Sequence, residues 1–154
     1  MVGDPPAAAI SVLLFRGMIE IPDARSRAES VRLAERYFAL FQQGDVAGML
    51  ALLHPDVEWV LKSTRPGDVL RGKGDTKAFF DRIAGKFYEL IAEVYRPLDD
   101  ERVVVEGRLR WMDDDRVLRD DPVVWAFQFR DGLVSRVTPV QSVAEAEAIL
   151  AGSR

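Results

Sequence analysis

The chain has 154 residues, 48% of them hydrophobic and 30% charged, with a formal net charge of −4, no cysteine and a single histidine. This length and composition are typical of one globular domain with a hydrophobic core, and the negative charge disfavours nucleic acid or an anionic membrane as a partner. The lack of cysteine excludes disulfides and thiolate chemistry, and one histidine is too few for a histidine-rich zinc site. We therefore expect neither a metal nor a cofactor.

We expect residues 1–22 to form a flexible leader and residues 23–151 to form the domain, because the leader shows no regular hydrophobic period. The apolar stretch Ala7–Phe15 has the composition of a signal-peptide core, yet Asp4 stands where such a peptide carries positive charge. No apolar run reaches the roughly 20 residues that a membrane-spanning helix needs. We expect a cytoplasmic protein, with Met18 as a second candidate start of translation.

Two amphipathic helices are predicted at the start of the domain. Ser26 and Glu29 have the spacing of a capping box, and apolar residues then recur at helical intervals until Gly44. Asp45 is a typical N-cap for the second helix, which Pro55 is predicted to end. The domain should therefore begin with two helices that each bury one face.

A third helix and five strands are predicted to follow. Asp75 is a candidate N-cap for the helix, and Ser142 with Glu145 forms a capping box for a short final helix. The strands are predicted at 57–62, 88–97, 102–112, 122–130 and 133–141, and turns at 65–68, 113–116 and 130–132. Helices followed by an antiparallel meander indicate an α+β fold.

Two motifs receive structural interpretations. Gly67–Gly74 comes within one residue of a phosphate-binding loop, but Gly74 occupies the position of the required Ser or Thr, and no βαβ unit is predicted around it. His54 is predicted to lie at the end of the second helix, where an imidazole can cap the last carbonyls, rather than to act as a base.

The segments Glu35–Asp45 and Leu53–Trp59 follow the order helix, Gly-Asp, helix, Pro-Asp turn and aromatic strand. This order resembles the opening of nuclear transport factor 2-like domains, which include ketosteroid isomerases and SnoaL-like polyketide cyclases. The resemblance implies a cystatin-like, cone-shaped α+β domain, with N-terminal helices packed on a curved, mainly antiparallel sheet. It also implies a pocket for a small apolar or mixed-polarity ligand, and a homodimer formed through the outer face of the sheet.

The resemblance also suggests catalytic positions. In ketosteroid isomerases a Tyr seven residues before the Gly-Asp pair donates a hydrogen bond to the developing oxyanion, and Tyr37 matches that position. The two carboxylates that those enzymes require fall at Leu61 and Trp125 in this chain. Neither residue can transfer a proton, so the usual isomerase mechanism is not expected.

The predicted strand 102–112 carries further candidates. Epoxide hydrolases of this superfamily use an Arg-x-Asp pair, and here Arg108 is present while Arg110 replaces the Asp. Cyclases commonly carry an acid near the position of Gln141. The strand period places Glu106, Arg108 and Arg110 on one face. If this face lines the pocket, Glu106 is the candidate base and Arg108 the anchor for a carbonyl or carboxylate. If it faces outward, the charges are solvated.

These residues lead to one function and one alternative. The residues predicted to line the pocket are Phe38, Trp59, Leu61, Trp125 and Phe127, with Gln141 at its mouth, although aromatic residues on a sheet face are usually part of the core. With Tyr37, Glu106 and Arg108 as catalytic candidates, the chain would bind a small, largely apolar molecule, and isomerase, cyclase or hydrolase chemistry stays open. The alternative is a non-catalytic interaction or dimerisation module with a filled cone.

Overall fold

The computed structural model describes residues 28–61 and 68–152. The helices are α1 (Glu29–Gln43), α2 (Val46–Ala51), α3 (Gly72–Ile83) and α4 (Val143–Ala151). The strands are β1 (Leu53–Val60), β2 (Val69–Arg71), β3 (Tyr88–Pro97), β4 (Arg102–Met112), β5 (Leu118–Arg130) and β6 (Leu133–Val140). The predicted leader, Ser26 of the predicted capping box and most of the predicted turn at 65–68 lie outside the described residues.

The strands form one six-stranded sheet in the order β2-β1-β6-β5-β4-β3. β1 runs parallel to β6, whereas the other neighbouring strands are antiparallel. Helices α1 and α3 pack on the inner face, where they share one hydrophobic core with the sheet, and α4 packs on part of the outer face. The predicted α+β fold, with helices on a mainly antiparallel sheet, is confirmed.

Helix α1 ends, and helix α2 begins, at the residues that the sequence predicts. Gly44 follows α1 with a φ of 69°, a left-handed conformation that glycine adopts without strain. The Asp45 carboxylate caps α2 by accepting a hydrogen bond from the Gly48 amide at 2.9 Å. At the other end of α1, the amide of Glu29 donates to the carboxylate of Asp100, 71 residues away, at 2.9 Å. A distant residue therefore caps the described start of α1.

Several predicted boundaries in the first half of the domain are wrong. β1 begins at Leu53 rather than at 57, because Leu53 pairs with Val134 of β6 and is completely buried. His54 consequently lies in a strand, where its Nδ1 accepts from the Asp56 amide at 3.0 Å. Asp75 lies inside α3, where its carboxylate accepts from the Arg71 amide at 3.0 Å. The helix-capping interpretation of His54 is therefore corrected.

The second half of the domain follows the predicted pattern more closely. β3 and β4 have the predicted bounds, while β5 begins four residues before the predicted 122, at Leu118. The hydroxyl of Ser142 accepts from the Glu145 amide at 3.1 Å and caps α4 as predicted. None of the described helices is long and apolar enough to cross a membrane.

Candidate functional site

A small cavity lies between α1, α3 and the inner face of the sheet. Its walls come from α1, α3 and strands β1 to β5, and its volume is about 30 Å³. A cavity of that size can hold a water molecule, but it is several times smaller than the ~150 Å³ that accommodates benzene. The inside of the cone is therefore almost filled by side chains.

Tyr37 reaches this cavity from α1 and is 1% exposed. Its ring packs against Trp59 with a centroid distance of 5.3 Å and against Phe127 at 6.4 Å, and these contacts hold the ring in position. Burial raises the pKa of the Tyr37 hydroxyl far above its ordinary value, and no hydrogen bond within the described ranges contributes to the shift. The hydroxyl is therefore neutral and carries an O–H that can donate.

Two further hydroxyl-bearing residues lie in the wall, Tyr88 on β3 and Thr76 on α3, and Thr76 is 2% exposed. Its Oγ1 donates to the carbonyl of Gly72, one turn earlier, at 2.9 Å. Among the described residues, the cavity wall contains no carboxylate, imidazole, guanidinium or ammonium group. The same part of the chain holds no group of three or more His, Cys, Asp or Glu side chains able to bind a metal.

Three of the predicted lining residues, Trp59, Leu61 and Trp125, do line the cavity. Phe38 and Phe127 lie beside it in the core instead. Phe38 packs between the two strand aromatics, with ring centroids 5.3 Å from Trp125 and 5.7 Å from Phe127. These two phenylalanines support the wall without contacting the cavity.

The structure places the charged face of β4 on the outside of the sheet. Val105 and Leu109 alternate with the charged residues along β4; they are 0% and 3% exposed and pack beneath the helices. Glu106 accepts from Arg96 Nε at 2.5 Å, and Arg108 Nε donates to Asp120 at 2.7 Å. The pocket-facing interpretation of Glu106 and Arg108 is corrected, because burying the charged face beneath apolar helices would strip these ions of water.

Gln141 also lies away from Tyr37. It follows β6 and borders an outer-face groove of about 550 Å³, together with Glu106 and Arg108. Its backbone amide donates to the Glu145 carboxylate at 3.2 Å, beside the start of α4. Three of the predicted site residues therefore meet one another on the outer face, separated from the Tyr37 cavity by the sheet.

Sequence reasoning missed nine residues of the cavity wall, and Leu70 and Thr76 among them show why. Leu70 belongs to β2, a three-residue strand that is too short to show alternation. The position of Thr76 in the wall could have been predicted, because Thr76 lies one helical turn before Phe80 and therefore shares the apolar face of α3.

Three of the solved structures with a similar fold illustrate what the chain resembles. A Mycobacterium tuberculosis protein in complex with estradiol-17β-hemisuccinate is 19% identical, with a TM-score of 0.65 over 77% of this chain and 97% of that one. Delta 5-3-ketosteroid isomerase from Mycobacterium sp. is 19% identical, with a TM-score of 0.64 over 77% and 96%. A putative polyketide cyclase from Silicibacter sp. TM1040 is 26% identical, with a TM-score of 0.62 over 76% and 91%.

Sequence comparison identifies the family directly. No curated protein sequence matches the chain. The profile of the SnoaL-like domain, however, matches residues 34–137, which is more than half of the chain and runs from α1 to β6. The chain therefore belongs to the SnoaL-like domain family, within the nuclear transport factor 2-like fold.

Proposed function

We propose that this domain binds a small, largely apolar and uncharged molecule between α1, α3 and the sheet, with the Tyr37 hydroxyl as hydrogen-bond donor. The observation that carries the proposal is this buried hydroxyl, which borders an apolar cavity without a hydrogen bond from the described residues to explain its burial. A buried polar group without a partner costs about 1–3 kcal/mol. A ligand oxygen or nitrogen at this position would accept a hydrogen bond from the hydroxyl and take the place of any water molecule there.

The uncharged character of the ligand follows from the wall. A carboxylate or ammonium group would need a counter-charge, and the described part of the wall supplies none. The steroid part of estradiol-17β-hemisuccinate, which is bound by a mycobacterial protein of similar fold, supports an extended, mainly hydrocarbon ligand as the class to test, without the carboxylate of that compound.

A ligand of this class is larger than the cavity of about 30 Å³, so part of the cavity wall must move when the ligand binds. Of the wall elements, α3 is the one flanked by glycines with positive φ, Gly72 and Gly85, both at 78°. The helix also follows β2, a three-residue strand at the edge of the sheet. By contrast, β3 to β6 are long neighbouring strands. We infer that α3 moves outward to admit the ligand.

The wall supports binding rather than carbon-acid catalysis. Isomerase and cyclase mechanisms remove a proton with a base, which must lie within hydrogen-bonding reach of its target. The described wall contains no such base, and Glu106 lies on the other side of the sheet. Any rate enhancement would come from the Tyr37 hydroxyl, as electrostatic stabilisation of a developing negative charge.

The test is a thermal-shift screen of uncharged apolar ketones, alcohols, lactones and epoxides against the wild type, Tyr37→Phe and Tyr95→Phe. Tyr95 lies on β3 outside the cavity wall, so its substitution is the matched control. We expect compounds that raise the melting temperature of the wild type and of Tyr95→Phe, and weaker binding to Tyr37→Phe. Equal binding by all three proteins would exclude Tyr37 as the donor.

A non-catalytic interaction module with a filled cone is the second candidate. It is favoured by the cavity volume of about 30 Å³ and by the close packing of Phe38 against Trp125 and Phe127. In that case no compound in the screen would stabilise the wild type.

We also propose a homodimer formed through the outer face of the sheet. α4 covers only part of this face. The remainder presents the partly exposed apolar residues Val94, Met112 and Leu118, 40–50% exposed, among Arg–carboxylate pairs. Such a mixture of apolar and paired polar groups is usual in protein interfaces.

A further inference from the structure

We propose that the ligand of the cavity extends past the rings of Phe41 and Tyr88 into a groove at the edge of the sheet, where its far end binds. This inference rests on the proposed function, and it deepens it by naming the class of ligand: an elongated molecule with an apolar head and an uncharged, polar tail. It follows from the side chains that the cavity and the groove share.

The groove lies beside the last turn of α1 and along the start of β3, which is an edge strand. Its volume is about 540 Å³, against about 30 Å³ for the cavity. Three side chains, those of Phe41, Tyr88 and Leu90, line both spaces. Leu90 is 5% exposed and belongs to the core, whereas Phe41 and Tyr88 are partly exposed. The rings of Phe41 and Tyr88 therefore lie between the cavity and the groove.

Helix α3 holds these two rings in place. The ring centroid of Phe41 lies 6.1 Å from that of Phe80, and the centroid of Tyr88 lies 5.5 Å from that of Phe79. Phe41 also contacts Tyr88 at 6.2 Å, and Phe79 contacts Phe80 at 6.2 Å, so the four rings form a closed cycle. An outward movement of α3 would withdraw Phe79 and Phe80 from this cycle. The cavity would then open toward the groove.

The groove differs from the cavity in carrying polar groups whose charges are balanced. Gln42 is exposed and presents a carboxamide, which both donates and accepts hydrogen bonds. The guanidinium of Arg110 donates to the carboxylate of Glu89 at 3.1 Å, so these two charges are paired with each other. A hydroxyl or amide can bind among these groups without bringing in an unpaired charge. The groove therefore suits a polar, uncharged tail.

The experiment uses cyclohexanone, 4-propylcyclohexanone and 4-pentylcyclohexanone, titrated into the full chain and followed by the chemical shifts of backbone amides. A fully buried methylene improves affinity by about fourfold, and in an open groove we expect about half of that free energy, or about twofold for each methylene. Only the two compounds with tails should shift the amides of Gln42 and Glu89, which line the groove and not the cavity.

A fourth probe, 4-(4-hydroxybutyl)cyclohexanone, has as many tail atoms as the pentyl compound but ends in a hydroxyl. If the tail lies in the groove, we expect the two affinities to agree within about threefold. A tail that stays in the apolar core would bury the hydroxyl without a partner and would weaken binding by about tenfold or more.

Two neighbouring glutamines provide a matched pair of variants. Gln42 lines the groove, whereas Gln43, also exposed at the end of α1, lines neither space. Gln42→Ala should weaken the hydroxybutyl compound by about threefold, a modest hydrogen-bond contribution, and leave cyclohexanone unchanged. Gln43→Ala should change neither affinity. Alanine is a good helix former, and the melting temperatures check that both variants are folded.

The outcomes separate the groove from the proposed function. If cyclohexanone binds but the tails add no affinity, or the hydroxybutyl compound is tenfold weaker than the pentyl compound, the groove inference is overturned while ligand binding stands. Equal effects of Gln42→Ala and Gln43→Ala on the hydroxybutyl compound would overturn it as well. If neither the four probes nor any compound of the thermal-shift screen binds, the proposed function fails and the groove inference fails with it.

Discussion

At the scale of single residues, Tyr37 combines a fully buried ring with a hydroxyl that borders a cavity. Four aromatic side chains around it, those of Phe38, Trp59, Trp125 and Phe127, form a connected cluster of ring contacts. This environment holds the hydroxyl in place and keeps it protonated. The same position that the family resemblance singled out is thus also a buried polar residue that borders the cavity.

The protonated state of Tyr37 predicts a dependence of stability on pH. In the unfolded chain a tyrosine ionises at about pH 10, whereas burial raises the pKa of Tyr37 in the folded protein. Above about pH 10 the folded protein therefore binds one more proton than the unfolded chain. The free energy of unfolding should then fall by up to ~1.4 kcal/mol for each unit by which the pH rises. Below that pH the contribution is fully present.

Urea denaturation of wild-type protein and Tyr37→Phe between about pH 8 and 11 measures this effect, because only the tyrosine can ionise at this position. The wild type should lose stability more steeply above about pH 10 than the variant. Parallel curves would mean that the Tyr37 hydroxyl titrates normally in the folded protein.

At the scale of elements, α3 differs from the other helices in how it is joined to the fold. Its N-cap residue Arg71 is the last residue of β2, and the left-handed Gly72 is its first helical residue. The helix contributes Thr76, Phe79 and Phe80 to the cavity. The outward movement of α3 proposed above would leave the long strand pairs β3 to β6 in place, because β2 lies at the edge of the sheet.

Two glycines at the start of α3 should respond oppositely to alanine. Gly72 has a φ of 78°, so Gly72→Ala should destabilise the protein by about 1–2 kcal/mol through backbone strain. Gly74 is helical and a Cβ there would meet no atom within 4 Å, so Gly74→Ala should stabilise it by about 0.5–1 kcal/mol.

The two alanine variants are each other's control, because both add one methyl group to the same turn of helix. Urea denaturation midpoints with unchanged m-values measure the difference. Destabilisation by both substitutions would show that the start of α3 is constrained by packing that the backbone geometry does not explain.

At the scale of the whole molecule, the sheet presents two chemically different faces. The inner face is apolar and covered by α1 and α3. The outer face is divided between an apolar part under α4 and a part with the ion pairs of Glu106, Arg108 and Arg110. These pairs are partly exposed, so each contributes little to stability and their arrangement mainly sets which surface can meet this face.

If the homodimer forms as proposed, one substitution on the outer face should halve the molecular mass of the particle in solution. Val94→Arg places a charge on the outer face next to Glu106, its cross-strand partner, and should convert the dimer to a monomer. Val117→Arg, at a similarly exposed valine in the turn after β4, should leave the dimer intact. Analytical ultracentrifugation distinguishes the species, and a wild type that is monomeric at all concentrations would contradict the proposal.

Local patterns in the sequence were sufficient to predict most of the helices and strands. The helical period of α1, the stop at Gly44, the cap at Asp45 and the bounds of β3 and β4 depend on interactions within a few residues, and each is as predicted. Leu53 was misassigned because its place in β1 depends on pairing with Val134. The chain positions of these two residues lie far apart, so no local pattern records their pairing.

The sequence by itself determined that Glu106, Arg108 and Arg110 share a face and that Tyr37 lies on the buried side of α1. Only the tertiary structure decided that the charged face points outward and that the cavity measures about 30 Å³. Alternation is a property of one strand, whereas the buried face is chosen by the helices that pack on it. The cavity is the small space left between side chains from seven elements, and it is set by their packing together.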